Sequence, residues 1–381
     1  MKQSLRLELY LAKKSQYNFL KTPKDEWKAI LHFLPEGWEE QAKELGAFVR
    51  TRRISSPQDL LKILLVHIAE GHSLRTTAAI ARGLKIADIS DVAIMKRLSA
   101  SYDWLKWMCE NLCKKWICPV DGIIPLPGRN VRLIDGSTIQ EPGAKGATWR
   151  LHYSFNLFGM VCDEVHITGI KKGEKLSNYN ASSADILIAD RGYFASAGIV
   201  NIVKEKGADV IIRMKHSIYV LDRNNKKTKP LEILRHLNVG EIGDWPVSVE
   251  FQGARVNGRL CAIKKSPQSA EKEKKRILKE ASKKGKQVSN DSLLAASYVM
   301  IFTTLDTSVS ASYVLDLYRC RWQIELSFKR LKSILGLGCL KKYDNRSALA
   351  WMHGKILVAF LIEAIIKAGE NFFPWGYPKQ N

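Results

Sequence analysis

VRLIDGST, from Val131 to Thr138, is where the chain changes its grammar. Before it, from Lys24 to about Lys115, apolar residues recur at three-to-four spacing, as in QDLLKILLVHIAEG and DVAIMKRLSASYDWLKWM, and predict helices throughout. After the breaker-rich DGIIPLPGRN come short β-type runs: VRLID (131–135), LHYSFNL (151–157), VCDEVHITGI (161–170), DILIAD (185–190) and DVIIRM (209–214). The first runs read as hairpins and the later ones alternate with helical patterns, which predicts a mixed α/β sheet rather than a purely parallel one.

Further on, 215–296 differs in composition, with strand-like WPVSVEFQ and RVNGRLCAIKK around turn signals. It ends in a basic stretch, Lys264 to Lys286, with ten Lys or Arg against Glu271, Glu273 and Glu280; this is either a solvated helix or an electrostatic arm. SYVMIFTTL (297–305) then reads as a buried strand, and one long amphipathic helix is predicted from about Val309 to Leu335.

Charge narrows the function. Of 381 residues, 60 are Lys or Arg and 38 are Asp or Glu, a net charge of +22 that predicts a polyanionic partner. At 46% hydrophobic and 26% charged the chain has the makings of a packed core, which excludes disordered and fibrous classes. MKQSLRLELYLAKK lacks a signal-peptide pattern, and the apolar run Ile356 to Ile366 is broken by Glu363, so the expectation is a cytoplasmic protein with no membrane partner. The seven cysteines are odd in number and scattered, as in a reducing compartment. Cys109, Cys113 and Cys118 have a spacing suggestive of zinc, but they sit in a helical pattern without a fourth ligand nearby, and packing is the preferred reading.

Within the helical region, SLRTTAAIAR (Ser73 to Arg82), the turn-like GLKIADISD and VAIMKRL outline a helix-turn-helix. Two packed helices of any origin share that outline. If it reads DNA, Arg75, Arg82 and Lys96 face the duplex.

Asp135 ends VRLID and Asp190 ends ILIAD, each followed by a Gly-containing turn, GST or RGY. Strand C-termini are where α/β sheets place their sites, and two neighbouring carboxylates repel and favour a divalent cation. Each Asp alone also reads as a cap for the turn after it. In YRCRWQIELSFKRLK, Tyr318, Glu325 and Lys332 recur at intervals of seven with Arg321 between the first two, so all four fall within roughly a 60° sector of a helix. Glu325 on that face could hold metal while Arg321 and Lys332 meet phosphate; an exposed stripe with an Arg321–Glu325 pair four residues apart is the alternative.

The order Tyr318, Arg321, Glu325, Lys332, with LIDGST and ADRGYF around the aspartates, resembles the signature of the DDE transposases of the bacterial insertion sequence four family. SLRTTAAIAR, ISDVAIMKRL and WRLHYSFNL are similar to that family too, so the resemblance runs from about residue 60 to 345. It implies an α/β fold with a ribonuclease H-like catalytic core in two parts (126–214 and 297–345), interrupted by a β-rich basic insertion (215–296). An all-helical DNA-binding region (1–125) would precede the core and a helical tail (346–381) follow it. By the same resemblance Asp135, Asp190 and Glu325 would bind two Mg²⁺ ions, which Mn²⁺ can replace. The activity implied is cleavage and strand transfer at the terminal inverted repeats of an insertion sequence, by way of a hairpin. Tyr318, Arg321 and Lys332 would position phosphates, and Tyr298, at the head of the strand leading back from the insertion, would stack on a flipped base, with an ordinary interior strand Tyr as the alternative. The implied partners are double-stranded DNA, as transposon ends and target, and a second copy in a homodimeric DNA complex at the nucleoid. A catalytically inactive DNA-binding regulator is the alternative, and the intact acidic residues argue against it.

Overall fold

The protein is described here by a computed structural model covering residues 23–115, 126–342 and 344–372. The chain divides into two compact units, Met1–Lys115 with Leu335–Asn381, and Trp116–Ile334.

In the helical unit the described elements are α1 (Pro23–Phe33), α2 (Trp38–Glu44), α3 (Pro57–Ala69), α4 (Leu74–Gly83), α5 (Asp91–Ala100) and α6 (Tyr102–Lys115). Serines start three of them. The side chains of Ser56, Ser73 and Ser90 accept from the amides of Asp59, Thr76 and Ala93, satisfying donors that a helix leaves orphaned in its first turn. The expected helix-turn-helix outline is therefore two capped helices, α4 and α5, with Thr77, Ala78, Ala81, Ile94 and Leu98 buried.

The second unit is built on one ten-stranded sheet. Its elements in chain order are β1 (Asn130–Ile139), β2 (Trp149–Asn156), β3 (Val161–Gly169), β4 (Asp185–Ala189), α7 (Ser196–Val200), β5 (Asp209–Arg213), β6 (Val220–Leu221), β7 (Lys227–Thr228), α8 (Pro230–Ile233), β8 (Ile242–Phe251) and β9 (Ala254–Lys264). There follow α9 (Pro267–Lys283), α10 (Asn290–Ala295), β10 (Tyr298–Thr303), α11 (Ala311–Arg319) and α12 (Trp322–Lys329), and a π-helical turn at Arg330–Ile334. The first unit is completed by α13 (Asn345–Phe372).

Strand order is β3-β2-β1-β4-β5-β10-β9-β8-β6-β7. β1, β4 and β5 run parallel, and the remaining pairings are antiparallel, giving the mixed sheet that the sequence predicts. The strands from 215–296 extend this same sheet, because β9 pairs with β10 along its whole length, from Tyr298↔Lys264 to Thr303↔Arg259. The basic stretch is mostly helix: α9 carries Arg276 between Glu273 and Glu280, at 2.6 and 2.7 Å.

Two expectations about helices change. The predicted helix from Val309 to Leu335 is α11, α12 and the π turn, separated at Cys320–Arg321 by i→i+3 hydrogen bonds such as Arg321 to Tyr318 and Ile324 to Arg321. The apolar run ending at Ile366 belongs to a 28-residue helix, α13, which by length and composition could cross a membrane, although 67% of its apolar window is buried within the structure. It packs on α6 inside the helical unit, where the Cys109 thiol donates to the His353 carbonyl. Cys109 and Cys113 are buried, and Cys118 lies outside the described residues.

Under the first half of the sheet, Arg132 of β1 is buried among carboxylates. Its guanidinium pairs with Asp163 at 2.8 Å, Glu164 at 2.7 Å and Asp185 at 3.4 Å, and donates to the Asn180 carbonyl. Burial alone works against its charge, and the three carboxylates overcome this and hold Arg132 protonated. Replacing it by Met would leave those carboxylates buried without a cation, so Arg132→Met should cost about 3 to 5 kcal/mol in urea unfolding. A loss under 1 kcal/mol would show that the cluster is not what holds β1 in place.

Candidate active site

β1 and β4 pair in parallel up to Ile134 opposite Ala189, so the next residues, Asp135 and Asp190, stand side by side where β4 ends and β1 runs on, paired with β2, to Ile139. Val131, Leu133 and Ile134 of β1 and Ile186 to Ala189 of β4 are buried, as befits strands in the interior of the sheet. One carboxylate oxygen of Asp135 accepts from the Gly136 amide at 2.8 Å, and the Tyr179 hydroxyl donates to the Asp135 carbonyl at 2.9 Å. Burial pushes the Asp135 carboxyl up to about 6, against the Gly136 amide and Arg321 and with help from Glu174 and Asp190. Asp190 is also disfavoured by burial, but the Arg191 amide, the Arg321 and Arg213 charges and the Tyr318 hydroxyl hold it below its ordinary value. Adjacent acids whose surroundings shift them in opposite directions are a common feature of functional sites.

α11 and α12 bring the other candidates to the same edge. The Tyr318 hydroxyl donates to Asp190 at 3.1 Å; burial and then Asp190 push it up to about 12, so it stays a donor. Arg321 reaches Asp135 at 3.4 Å and Glu325 at 2.5 Å, placing one guanidinium between two carboxylates. The Glu325 side chain is 59% exposed against 17% for Arg321, so Glu325 lies at the solvent side of the group. Lys332, on the π turn, donates to the Thr138 carbonyl of β1 at 2.5 Å. Tyr318, Arg321, Glu325 and Lys332 thus share a face despite the break in the helix, and the Arg321–Glu325 pair foreseen as the alternative is present as well. Among the described residues no three acidic, His or Cys side chains are gathered closely enough to hold a metal ion, since Glu325 is turned to Arg321.

Other candidates lie elsewhere. Tyr298 is 4% exposed, a buried side chain at the start of β10 with the Lys264 ammonium 5.8 Å from its ring centre. Arg75 and Arg82 are exposed on α4 and meet Asp91 at 3.5 Å and Asp88 at 3.0 Å; Lys96 is exposed on α5.

Two charged residues at the site escaped the sequence reading. Arg213 ends β5, whose Ile212 pairs with Ala189, so it stands next to Asp190. Glu174, in the loop after β3, is ion-paired to Arg150 of β2 and fills the space left by two glycines. A Cβ on Gly136 would come within 2.8 Å of Glu174 Oε1, and one on Gly192 within 3.3 Å of Oε2. These glycines follow the two aspartates, but only RGY forms the expected turn; Gly136 lies within β1, which continues through GST. Their recurrence was the available signal.

Against known proteins, residues 126–361 match the family described as Transposase DDE domain. InsL of insertion sequence element IS186A, from Escherichia coli (strain K12), is 34% identical over 360 residues, covering 92% of this chain and 96% of that protein. The transposase for insertion sequence element IS421 of Escherichia coli is 34% identical over 361 residues, with the same coverage of 92% and 96%. The transposase for insertion sequence element IS231B of Bacillus thuringiensis subsp. berliner is 21% identical over 370 residues, covering 87% and 77%.

If Glu174 is wedged against β1 just after Asp135, Gly136→Ala should be costly alone and nearly neutral once Glu174 is truncated to Ala. A double-mutant cycle by urea unfolding should give a coupling of about 0.5 to 3 kcal/mol. Additive losses would mean that the two do not press on each other.

Proposed function

The chain belongs to the DDE transposase family of bacterial insertion sequences, within the insertion sequence four group, and from that membership we propose how its own residues divide the work. Asp135, Asp190 and Glu325 form the acidic triad, which takes two Mg²⁺ ions, with Mn²⁺ able to substitute. The reaction is hydrolysis at the terminal inverted repeats followed by strand transfer into target DNA. The observation that carries this is the parallel register of β1 and β4, which sets Asp135 beside Asp190 under the α12 face bearing Arg321 and Glu325. The sheet order β3-β2-β1-β4-β5, antiparallel and then parallel, supports a ribonuclease H-like core.

The donor set fits hard divalent cations: all-oxygen, acidic, and partly desolvated at Asp135. When bound, such cations activate the attacking oxygen and stabilise the leaving one. The protein's residues do the rest. Tyr318 orients the Asp190 carboxylate through its hydroxyl. Arg321 lies between Asp135 and Glu325 and offsets their charge; were a cation held by those acids, its planar fork would be available to a phosphate of the transposon end. Lys332, held over β1, supplies a second phosphate contact. The helical unit, with Arg75, Arg82 and Lys96, grips the ends, and two copies assemble on the paired ends in the cytoplasm, at the nucleoid.

Asp135→Asn, Asp190→Asn and Glu325→Gln should each abolish Mg²⁺-dependent nicking and joining of a labelled end fragment while end binding changes less than about twofold, because shape survives and ligand charge does not. Near-normal cleavage by any one of them would remove that residue from the triad. Arg321→Gln should tighten Mn²⁺ binding to the DNA-free protein by on the order of tenfold in calorimetry, since a competing cation is gone. Unchanged or weaker Mn²⁺ binding would show that Arg321 does not occupy the cation's place.

A further inference from the structure

We infer that the loop from Val49 to Arg53, between α2 and α3, is a DNA-backbone contact of the helical unit, an inference that rests on the transposase reading above. The loop is pinned at both ends: Ala47, Phe48 and Ile54 are 0%, 6% and 3% exposed, and the Phe48 amide donates to the Ala42 carbonyl at 2.8 Å. Between these anchors Val49 is 67% exposed, and Arg50, Thr51, Arg52 and Arg53 are exposed as well. The arc is therefore held in place by buried residues while its charged side chains face solvent. It is also tied to α5, where Arg97 donates to the Ala47 carbonyl at 3.5 Å.

The partner is identified by charge. No acidic residue lies between Glu44 and Asp59 in the sequence, and among the described residues no carboxylate pairs with Arg50, Arg52 or Arg53. This contrasts with Arg75 and Arg82, which are already matched to Asp91 and Asp88. Lys43, Phe48, Val49, Arg50, Thr51 and Arg52 line an open cleft of about 660 Å³ here. Arg50 and Arg52 are two residues apart, roughly 7 Å along an extended chain, which is the scale of successive phosphates on one strand. Guanidinium forks without internal partners, on a backbone that needs no ordering, can bind phosphate without first breaking an ion pair.

The test is binding of the full chain to a labelled duplex carrying the terminal repeat, by fluorescence anisotropy across roughly 50 to 200 mM salt, the range over which counterion release is read. The triple variant Arg50→Gln, Arg52→Gln, Arg53→Gln keeps the aliphatic stems and loses the charges. It should flatten the slope of log affinity against log salt by about 2 to 3 units, with each single variant near one, and the corresponding Lys triple should restore most of it. An unchanged slope in the Gln triple, with wild-type protein binding the repeat, overturns the loop inference alone. Failure of the wild-type protein to bind the repeat at any of these salt concentrations instead overturns the transposase reading of the DNA partner. A melting curve for each variant accompanies the titration, and if the Gln triple melts early the three single variants decide by the same slope criterion.

Discussion

Buried under three strands, the Arg132 guanidinium ties β1 to β3 through Asp163 and Glu164 and to β4 through Asp185. Exchanging such a cluster for apolar residues of equal volume is often neutral or stabilising, so its value does not lie in net stability. It lies in what the cluster forbids. A one-residue slip of β1 would turn Arg132 to the opposite face and strand acids that burial already disfavours, Asp163 above all. The same slip would move Asp135 away from Asp190. Arg132 and Asp135 are three positions apart on one strand, so the register that satisfies the buried charges is the register that pairs the two aspartates.

The helical side of the site meets a different constraint. On an ideal helix Tyr318, Arg321, Glu325 and Lys332 would share a sector, yet the chain departs from ideal geometry twice among them. The i→i+3 bonds around Cys320 tighten the helix and the π turn from Arg330 widens it. Tightening over-rotates the residues that follow and widening under-rotates them, so the departures partly offset, and Lys332 still reaches Thr138. Both distortions flank α12, the short segment that carries Glu325 and is seated by buried Ile324 and Phe328. Interruptions on either side let that segment settle against β1 without dragging a rigid helix of more than twenty residues with it.

How far the sequence disclosed this depends on the range of each signal. Apolar β-branched runs are local, and the strands they marked are present to within a few residues at each end, with Asp190 just past β4 but Asp135 inside β1, which runs on to Ile139. Helical spacing is tolerant of one tight or wide turn, so the shared face was legible and the breaks were not. Pairing of β9 with β10 joins residues some forty apart, and no local pattern announces that a segment of different composition will extend an existing sheet. Alternation marked SYVMIFTTL as a strand without saying which face Tyr298 would take. Glu174 sits in KKGEK, which reads as a solvated turn, and its role became visible only when both missing Cβ positions were found against one carboxylate.

The surplus of +22 does not act as a uniform charge. Cations matched to carboxylates inside the fold add little to the field that a polyanion meets, and this covers Arg132, Arg259 on Asp244 at 2.6 Å, and Arg276 between its two glutamates. Among the described residues, two groups of exposed cations differ in kind. The lysines of α9, such as Lys272, Lys275 and Lys279, are exposed point charges on flexible stems along a helix, suited to attraction that is indifferent to geometry. Arg50, Arg52 and Arg53 are planar forks on a loop fixed by buried neighbours, suited to a set position on a backbone. Counterion release rewards both, but only the second kind fixes orientation, because a fork held by its own backbone discriminates phosphate positions that a mobile ammonium does not.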